Sequence, residues 1–522
     1  MSGAARTSNG KKTIVFTVLL AAVVLLPMGG PGPLLAACIL ASAMLGVPLF
    51  GIIGIATVLC YLLWGGVEDV ADLRNLVERI RTLADNETLL AVPLFMMSGA
   101  IMSRGQISTR LIDFAKAVVG WMPGGLAVSA VVACMLFAAI SGSSPATVVA
   151  IGGMMVPSLV KHGYDERFSQ GLLTSAGSLG ILIPPSIPMV VYPLVYQGAN
   201  IQVERLFAAG VGPGLVIGGI LASFSVYRGI VDRAERQRFD PKELARATVD
   251  GFWSIMFPVL ILGGISYGVF NAVEAAAVSV IYAVVVEIWI HGALKPKEMP
   301  AIVQETGIFL GSLLVIMVAA LALSEFLELP FGDNERSIPQ QAVEWIRSMD
   351  LTPTEFLLIV NLLLVVVGCL MDILSAMFIF VPLLAPIAQS LEIDPIHFAI
   401  IFIVNLEIGY LTPPVGLNLF VASTMFNRPL GHIIRAVLPF IGVMLGGLAI
   451  ITYFPSISVG LANWIMGDEG TEAVVTEPAP LSDGAPADEP PSGLEPAGPD
   501  PEPSGEGGVQ TLEEMMREAG IE

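Results

Sequence analysis

The sequence is poor in charge and in the residues used for metal and redox chemistry. Only 13% of its 522 residues are charged and 55% are hydrophobic, whereas a typical soluble domain has about 25% charged residues. It contains four cysteines, none in a CxxC pair, and four histidines, none in an HExxH pattern. It also lacks the phosphate-binding pattern GxxxxGK[ST] and a GxGxxG in a strand-helix context. These absences argue against zinc hydrolysis, ATP-driven pumping and dinucleotide chemistry, and the composition predicts a polytopic membrane protein.

The net charge of −20 is concentrated at the carboxyl terminus. Residues 468–522 contain 15 acidic residues, nine prolines and one basic residue, Arg517. Such a composition is typical of chain that does not fold by itself. We therefore predict that residues 467–522 form a disordered, acidic, proline-rich tail. We interpret it as a solvated extension, and a docking motif is the alternative.

One unusual pattern occurs twice inside apolar stretches. A glycine is followed four residues later by a proline pair, and the two copies are 229 residues apart: Gly180-Ile-Leu-Ile-Pro184-Pro185-Ser186 and Gly409-Tyr-Leu-Thr412-Pro413-Pro414-Val. Proline lacks an N–H and clashes with the preceding helical turn, so each pair breaks a helix. Unpaired backbone inside a membrane is tolerated only where it lines a cavity in the protein. Two matched breaks therefore point to a transporter's binding site, whereas a simple proline kink with hydroxyls bonding back is the alternative for each.

Each break is preceded by a pair of apolar stretches that a short polar sequence joins. Residues 119–140 and 145–160 are joined by Ser141-Gly142-Ser143-Ser144-Pro145, and residues 357–371 and 373–390 meet at Asp372. A membrane span needs about 20 helical residues, and several of these stretches are shorter. We predict two re-entrant helical hairpins whose tips reach the middle of the membrane, each followed by a broken helix.

Charge placement predicts that the two hairpins face opposite sides. Lysine and arginine are enriched in cytoplasmic loops. The residues that flank the mouths differ in sign: Arg104, Arg110, Lys116, Lys161 and Arg167 at the first, and Glu344, Asp350, Glu355, Glu392 and Asp394 at the second. The first hairpin is therefore expected to open to the cytoplasm and the second to the outside, as in an inverted repeat. Counting crossings from these anchors places the acidic tail outside.

These patterns divide the chain into seven regions of an all-α polytopic membrane protein. We predict an amino-terminal extension with an extra membrane helix (1–33), scaffold helices (34–118), the first hairpin and broken helix (119–198), connecting scaffold helices (199–356), the second hairpin and broken helix (357–425), a last membrane helix (426–466) and the tail (467–522). Residues 66–88 mix both charges and are expected to form an interfacial helix. Whether residues 34–64 cross once or twice is left open.

The tips and breaks provide oxygen atoms for an anion or a small cation. Exposed N–H groups at a helix start attract carboxylates, and unwound carbonyls bind cations. Simple capping of a helix in a packed interior is the alternative for the first tip. The candidates are Ser141, Gly142, Ser143, Ser144, Pro145 and Thr147 at the first tip, Gly180, Pro184, Pro185 and Ser186 at the first break, and Asn405, Gly409, Thr412, Pro413, Pro414, Gly416 and Asn418 around the second break.

Asp372, Glu274 and Glu407 are acidic candidates, because an ionisable group in a membrane segment is a functional candidate by default. We expect Asp372 and Glu274 to be the deepest, followed by Glu407. Asp372 either binds a cation or begins the second helix of its hairpin. Glu274 follows Asn271 by three residues, which favours a helix cap over an ion site. No lysine or arginine lies deep in a predicted span, so a substrate carboxylate must use helix ends, hydroxyls and amides.

These residues resemble one family of membrane transporters. Residues 141–193, from Ser-Gly-Ser-Ser-Pro-Ala-Thr to Leu-Ile-Pro-Pro-Ser-Ile-Pro-Met-Val-Val-Tyr, are similar to its first signature. Residues 391–423, with Leu-Thr-Pro-Pro-Val-Gly-Leu-Asn-Leu-Phe-Val-Ala-Ser, are similar to its second. The chain thus resembles the DctM-like large membrane subunit of tripartite ATP-independent periplasmic (TRAP) transporters from about residue 34 to 465. The family's usual mid-chain Thr-Pro-Thr-Glu-Ala-Ala is Asn-Ala-Val-Glu-Ala-Ala here, at 271–276.

The resemblance implies a sodium-coupled importer of organic acid anions, for example C4-dicarboxylates, in the bacterial inner membrane. It further implies a periplasmic substrate-binding protein, a small DctQ-like membrane subunit and an inverted-repeat fold that works as an elevator. Neither an enzymatic activity nor a nucleic-acid partner is expected. One sodium ion would sit between Ser141–Ser144 and Gly180–Ser186, and another between Asp372 and Gly409–Gly416.

Two other functions are weighed against transport. The Ser-Gly-Ser-Ser turn resembles the nucleophile of an intramembrane serine hydrolase, which needs a base within hydrogen-bond reach. Only His397 lies at a suitable depth, and it belongs to the mouth of the other hairpin. A passive anion channel would need a ring of charge or a filter built by symmetric copies, and two internal breaks suit an occluded site better.

Overall fold

The architecture is helical throughout the described part of the chain. This computed structural model describes residues 49–64, 87–196, 198–232, 238–328, 337–349 and 351–466, with isolated residues between 35 and 47. All of them belong to one compact unit, and no strand occurs among them. The predicted extra helix in residues 1–33, nearly all of the predicted interfacial helix and the acidic tail lie outside the described residues. All four cysteines are free, and Cys60, Cys134 and Cys369 are buried.

Long apolar helices confirm a polytopic membrane protein. In chain order the helices are α1 (Leu49–Trp64), α2 (Ala91–Arg104), α3 (Ile107–Val119), α4 (Gly125–Ser141), α5 (Ser144–Lys161), α6 (Glu166–Ser178), α7 (Ile187–Val195), α8 (Val203–Val231), α9 (Pro241–Asp250), α10 (Phe252–Ser266), α11 (Ala272–Ile290), α12 (Met299–Glu328), α13 (Ile338–Ser348), α14 (Pro353–Leu370), α15 (Ile373–Ser390), α16 (Pro395–Gly409), α17 (Leu417–Met425), α18 (Leu430–Tyr453) and α19 (Val459–Met466). Within the described residues, seven helices are long and apolar enough to cross a membrane, or up to nine if two bent pairs each count as one span.

The two predicted hairpins and broken helices are present and correspond to each other. Helices α4 and α5 form the first hairpin, and α14 and α15 form the second. Helices α6 and α7 are separated by the first break, and α16 and α17 by the second. Adding 229 to the bounds of α4, α5, α6 and α7 gives the bounds of α14, α15, α16 and α17 within two residues. The same offset of 229 separates Ser178 from Glu407. Both breaks contain a cis proline pair, at Pro184-Pro185 and Pro413-Pro414.

The helix α18 shows that the hairpins open toward opposite ends of the molecule. Arg428, just before α18, donates to Glu166 at the mouth of the first hairpin over 2.6 and 2.9 Å. Near the other end of α18, the carbonyl oxygen of Thr452 lies 3.1 Å from Nε2 of His397, at the mouth of the second hairpin. A helix of 24 residues is about 36 Å long. The mouths are therefore separated by roughly a membrane thickness, as an inverted repeat requires.

Each hairpin turns through a residue suited to its conformation. Gly142 at the first tip has φ of +59°, in the left-handed region that side chains disfavour. Pro145 lies in the first turn of α5, where its missing N–H has no helical partner to lose. At the second tip, the Asp372 carboxylate accepts the N–H of Ser375 at 3.0 Å and so caps α15. The residues at each tip therefore explain why the chain turns at these two positions.

Close packing of two glycines fixes the second hairpin against its broken helix, and we predict that alanine there destabilises the fold. A Cβ added to Gly409 in α16 would lie 2.5 Å from Cα of Gly368 in α14. Overpacking of this kind costs about 1–3 kcal/mol, so Gly409→Ala should lower the thermal unfolding midpoint in detergent. Gly446→Ala is the control, because nothing lies within 4 Å of its added Cβ. An equal midpoint for both variants would contradict this packing.

Candidate substrate and cation site

Both hairpin tips and both breaks meet around one cavity of about 350 Å³. The first tip lines it with Gly142, Ser143, Ser144 and Pro145, the second with Asp372, Ile373 and Leu374, and the edges of the breaks with Ile181, Ile187, Tyr410 and Leu417. Helix α12, from the predicted scaffold, adds Ser312 and Ile316. Among the described lining residues Asp372 carries the one charged side chain, and the rest are apolar side chains, hydroxyls and backbone. Candidates at both tips thus line one cavity, whereas the glycine, proline and hydroxyl candidates of the breaks are not among its lining residues.

The first tip presses against the first break through backbone. A Cβ added to Gly180 would lie 2.5 Å from the carbonyl oxygen of Ser143. A Cβ added to Gly142 would lie 2.9 Å from the carbonyl oxygen of Pro185. Both approaches require glycine, because a methyl group has no room at these distances. Carbonyl oxygens of the tip and the break are thereby held within one small volume.

Hydroxyl groups order the backbone behind the first tip. Ser141 Oγ lies 3.0 Å from Thr147 Oγ1, and Thr147 Oγ1 donates to the carbonyl of Ser143 at 2.9 Å. Across the first break, Ser186 Oγ donates to the carbonyl of Ile181 at 2.6 Å. These bonds satisfy the donors and leave lone pairs on the hydroxyl oxygens. A simple proline kink would also make the bond of Ser186. Unlike a simple kink, this break lies next to the cavity, because the following residue Ile187 lines it.

At the second tip, a tyrosine side chain from the second break bonds to the backbone, and the sequence does not indicate this contact. The N–H of Ile373, at the start of α15, donates to Tyr410 Oη at 2.8 Å. Tyr410 lies in the second break and lines the cavity. Asp372, which is half-buried, caps the same helix. The interpretation of Asp372 as the start of that helix is confirmed, and its role as a cation ligand stays a prediction.

The second break is more open than the first. Pro184 and Pro185 are buried, whereas Pro413 is half-buried and Pro414 is exposed. Thr412 Oγ1 donates at 2.9 Å to the carbonyl four residues earlier. The N–H of Gly416 donates to the carbonyl of the second hairpin's Cys369 at 3.2 Å, beside the tip. The two matched breaks thus differ in exposure.

Two buried amides each leave an acceptor oxygen without a partner. Asn418 Nδ2 donates to Ser144 Oγ at 2.6 Å, which ties the second broken helix to the first hairpin. Asn405 Nδ2 donates to Asn361 Oδ1 at 2.7 Å, and Asn361 donates to Thr452 Oγ1. The Oδ1 atoms of Asn405 and Asn418 have no donor within the described part of the chain. Buried acceptors are normally satisfied, so both oxygens are suited to a cation.

The three acidic candidates differ in burial inside the protein, whereas their depth in a membrane stays a prediction. Glu407 is fully buried and Asp372 is half-buried, but Glu274 is exposed. Glu274 forms a capping box with Asn271 at the start of α11, where Asn271 Oδ1 accepts the Glu274 N–H at 2.8 Å. The structural interpretation of Glu274 is therefore confirmed, and the structure places it outside the cavity. A carboxylate on the first turn of a helix stabilises it.

Four residues that line the cavity or contact a candidate residue were not indicated by the sequence. Tyr410 lies inside the second signature, yet its hydroxyl gains a role only when the hairpin folds back on it. Ser312 and Ile316 face the cavity from α12, and no motif surrounds them. Asn361 lies 44 residues before its partner Asn405. Only a search for polar residues at helical spacing inside apolar spans would have indicated Ser312 and Asn361.

His397 is not placed to act as a base for the tip serines. Its Nδ1 lies 2.8 Å from Ser458 Oγ and its Nε2 lies 3.1 Å from the carbonyl of Thr452. Both nitrogens are thus engaged at the mouth of the second hairpin, while Ser143 is at the first tip. The described residues contain no group of three or more metal-ligating side chains. The site therefore has the features of a binding chamber without hydrolytic machinery.

Two opposed hairpins and two helix breaks around a central cavity define a membrane transporter of the inverted-repeat class. The family described as "Tripartite ATP-independent periplasmic transporter, DctM component" matches residues 36–457. The chain belongs to this family, and it is a transporter permease subunit without enzymatic activity.

Relatives with established names extend the comparison. The chain is 42% identical over 397 residues to the C4-dicarboxylate TRAP transporter large permease protein DctM of Pseudomonas aeruginosa, covering 75% of this chain and 90% of that protein. It is 34% identical to the isethionate TRAP transporter permease protein DctMQ of Oleidesulfovibrio alaskensis, covering 88% of this chain and 71% of that protein. The solved YdaH transporter of Alcanivorax borkumensis shares the fold, with a TM-score of 0.55, 15% identity and coverage of 80% and 97%.

Proposed function

We propose that this permease imports organic acid anions, such as C4-dicarboxylates, together with sodium. The observation that supports it best is a cavity shared by two tips and two breaks, whose lining residue Ser144 bonds to Asn418, a buried amide with an Oδ1 that has no donor among the described residues. The relatives' names support an anion in part: they specify C4-dicarboxylate, isethionate and, at 33% identity, ectoine or 5-hydroxyectoine. Helix starts at both tips supply N–H groups for a carboxylate.

The proposed sodium sites follow the two repeats. The first lies between Ser141–Ser144 and Gly180–Ser186, where the backbones of the tip and the break are in contact. The second lies between Asp372 and Gly409–Gly416, beside the unpartnered Oδ1 of Asn418. Carbonyls, amides and hydroxyls are the ligands that unwound transporter helices offer to sodium. Bound cations would order these segments and so favour the anion, which is positive coupling between the sites.

The cavity walls favour an elevator mechanism. Every tip and break residue belongs to one of the two repeats, whereas Ser312 and Ile316 face them from α12. A substrate enclosed between repeats and scaffold is released when one unit slides past the other. The apolar residues on that wall, including Ile316, Leu374 and Phe378, suit a sliding contact because they make no directional bonds.

The partners and location follow from the family. A periplasmic binding protein would deliver the anion and a separate small DctQ-like subunit would complete the permease in the bacterial inner membrane. Basic residues at the first hairpin mouth, such as Lys161 and Arg167, favour a cytoplasmic orientation for that mouth. The acidic tail would then lie in the periplasm.

Uptake in proteoliposomes tests the coupling. Permease, small subunit and loaded binding protein are reconstituted, and radiolabelled C4-dicarboxylate is followed with an inward sodium gradient or with potassium at equal osmolarity. We expect accumulation above equilibrium only with the sodium gradient, because the cation sites are filled from the outside. Unchanged uptake in potassium would contradict sodium coupling, and flux that stops at equilibrium under every gradient would favour a passive channel.

A further inference from the structure

Ser178 and Glu407 occupy equivalent positions in the two repeats and contact each other. Ser178 Oγ lies 2.8 Å from Glu407 Oε1 across 229 residues of sequence, and 2.7 Å from the carbonyl oxygen of Ser175 in its own helix. Both side chains are fully buried. In a two-fold arrangement, equivalent positions meet only at the axis that relates the two halves. This hydrogen bond therefore lies at the centre of the paired repeats.

The pair lies directly beside both breaks. Ser178 is the last residue of α6, and the first break begins at the next residue. Glu407 precedes Gly409, the last residue of α16, by two positions. The hydroxyls of Ser186 and Thr412 bond to backbone carbonyls within their own repeats. Each member of the Ser178–Glu407 pair thus lies within two residues of the break in its own repeat.

The chemistry of the pair suits a hydrogen-bond link better than an ion pair. Within the described residues, Glu407 makes no ion pair and its Oε2 has no partner. An isolated carboxylate charge in an apolar interior is very costly, and nothing described here offsets one. A buried hydrogen bond, in contrast, is strengthened by the low dielectric around it. The carboxyl is therefore suited to a hydrogen bond with the Ser178 hydroxyl.

We propose that the Ser178–Glu407 hydrogen bond couples the two cation sites, so that ordering one break orders the other. This inference rests on the proposed sodium coupling. Ser178 and Glu407 are positioning residues, because they act through the breaks and contact neither cation nor substrate. Two sites that share one link are expected to bind cations cooperatively.

The test measures uptake against sodium concentration for Ser178→Ala, Ser178→Cys and Glu407→Gln. We expect the wild type to have a Hill coefficient near two. Ser178→Ala should raise the half-activating sodium concentration about tenfold, since the loss of one buried hydrogen bond changes an equilibrium constant by up to about that factor. The same substitution should bring the Hill coefficient near one. Glu407→Gln, which keeps an acceptor oxygen, should stay within about threefold of the wild type.

Matched variants separate this effect from simple loss of packing. Ser129→Ala removes an equally buried hydroxyl that bonds only within its own helix, to the carbonyl of Leu126 at 2.8 Å. It should behave as the wild type. Ser178→Cys conserves volume with a weak donor, so it should shift the sodium curve even if Ser178→Ala folds poorly.

The outcomes distinguish this inference from the proposed function. Wild-type uptake without sodium dependence would overturn the proposed function itself. Sodium-dependent uptake with the same curve and Hill coefficient in the wild type and both Ser178 variants would overturn only the link. A Glu407→Gln variant that loses sodium response as strongly as Ser178→Ala would show that the carboxylate charge matters, and would also overturn it.

Discussion

Gly180→Ala is expected to abolish sodium-dependent uptake while the protein still folds and inserts. The added Cβ would lie 2.5 Å from the Ser143 carbonyl oxygen and 2.8 Å from Thr147 Oγ1. Because the first of these is a backbone atom, the tip must move away from the break. Misplacement by about 1 Å of groups that must act together costs on the order of a hundredfold in rate. The measurement is initial uptake in proteoliposomes at saturating substrate.

Gly219→Ala is the control for Gly180→Ala. Gly219 lies in α8, and nothing is within 4 Å of its added Cβ. Its uptake should equal that of the wild type. Normal uptake by Gly180→Ala would mean that the contact between tip and break is not needed, and the first sodium site would have to lie elsewhere.

Asn418→Leu should raise the half-activating sodium concentration by at least about tenfold, the equivalent of a lost hydrogen bond to a charged group. The substitution removes the unpartnered Oδ1 and the donor to Ser144 Oγ. It therefore removes one hydrogen bond between the second broken helix and the first hairpin, together with a proposed cation ligand. Sodium titration of uptake, or of sodium-dependent thermal stabilisation, gives this value.

Asn418→Asp separates the two roles of that amide. Aspartate keeps acceptor oxygens for a cation and can accept a hydrogen bond from the Ser144 hydroxyl, so sodium activation should be largely retained. If Asn418→Leu and Asn418→Asp were both as active as the wild type at low sodium, Asn418 would have no part in cation binding. Equal loss in both would show that the amide N–H donor is the essential feature.

The hairpins and breaks were predictable because the chain repeats its own pattern. A proline pair after Gly180 and another after Gly409 must interrupt helices whatever surrounds them, and the constant offset extended that inference to whole elements. The predicted helix of residues 373–390 has the observed bounds, Ile373–Ser390. Local chemistry and charge were sufficient for these features, since each depends on residues near one another in sequence.

Which individual side chains meet across the repeats was not predictable from one sequence. Glu407 is fully buried against Ser178, 229 residues away in sequence. Depth along a helix says nothing of which side faces the interior. Glu274 shows the reverse, because its capping box was foreseeable from Asn271 but its exposure was not. Ser312 reaches the cavity only because α12 packs against the second hairpin.

High-resolution structure determination of the reconstituted permease with sodium and its carboxylate substrate tests the central claim most directly. We predict substrate density in the cavity between Gly142–Ser144 and Asp372–Leu374, with sodium density beside the broken helices. Density for both ligands at another depth, or with the tips separated from the proline pairs, would contradict the account.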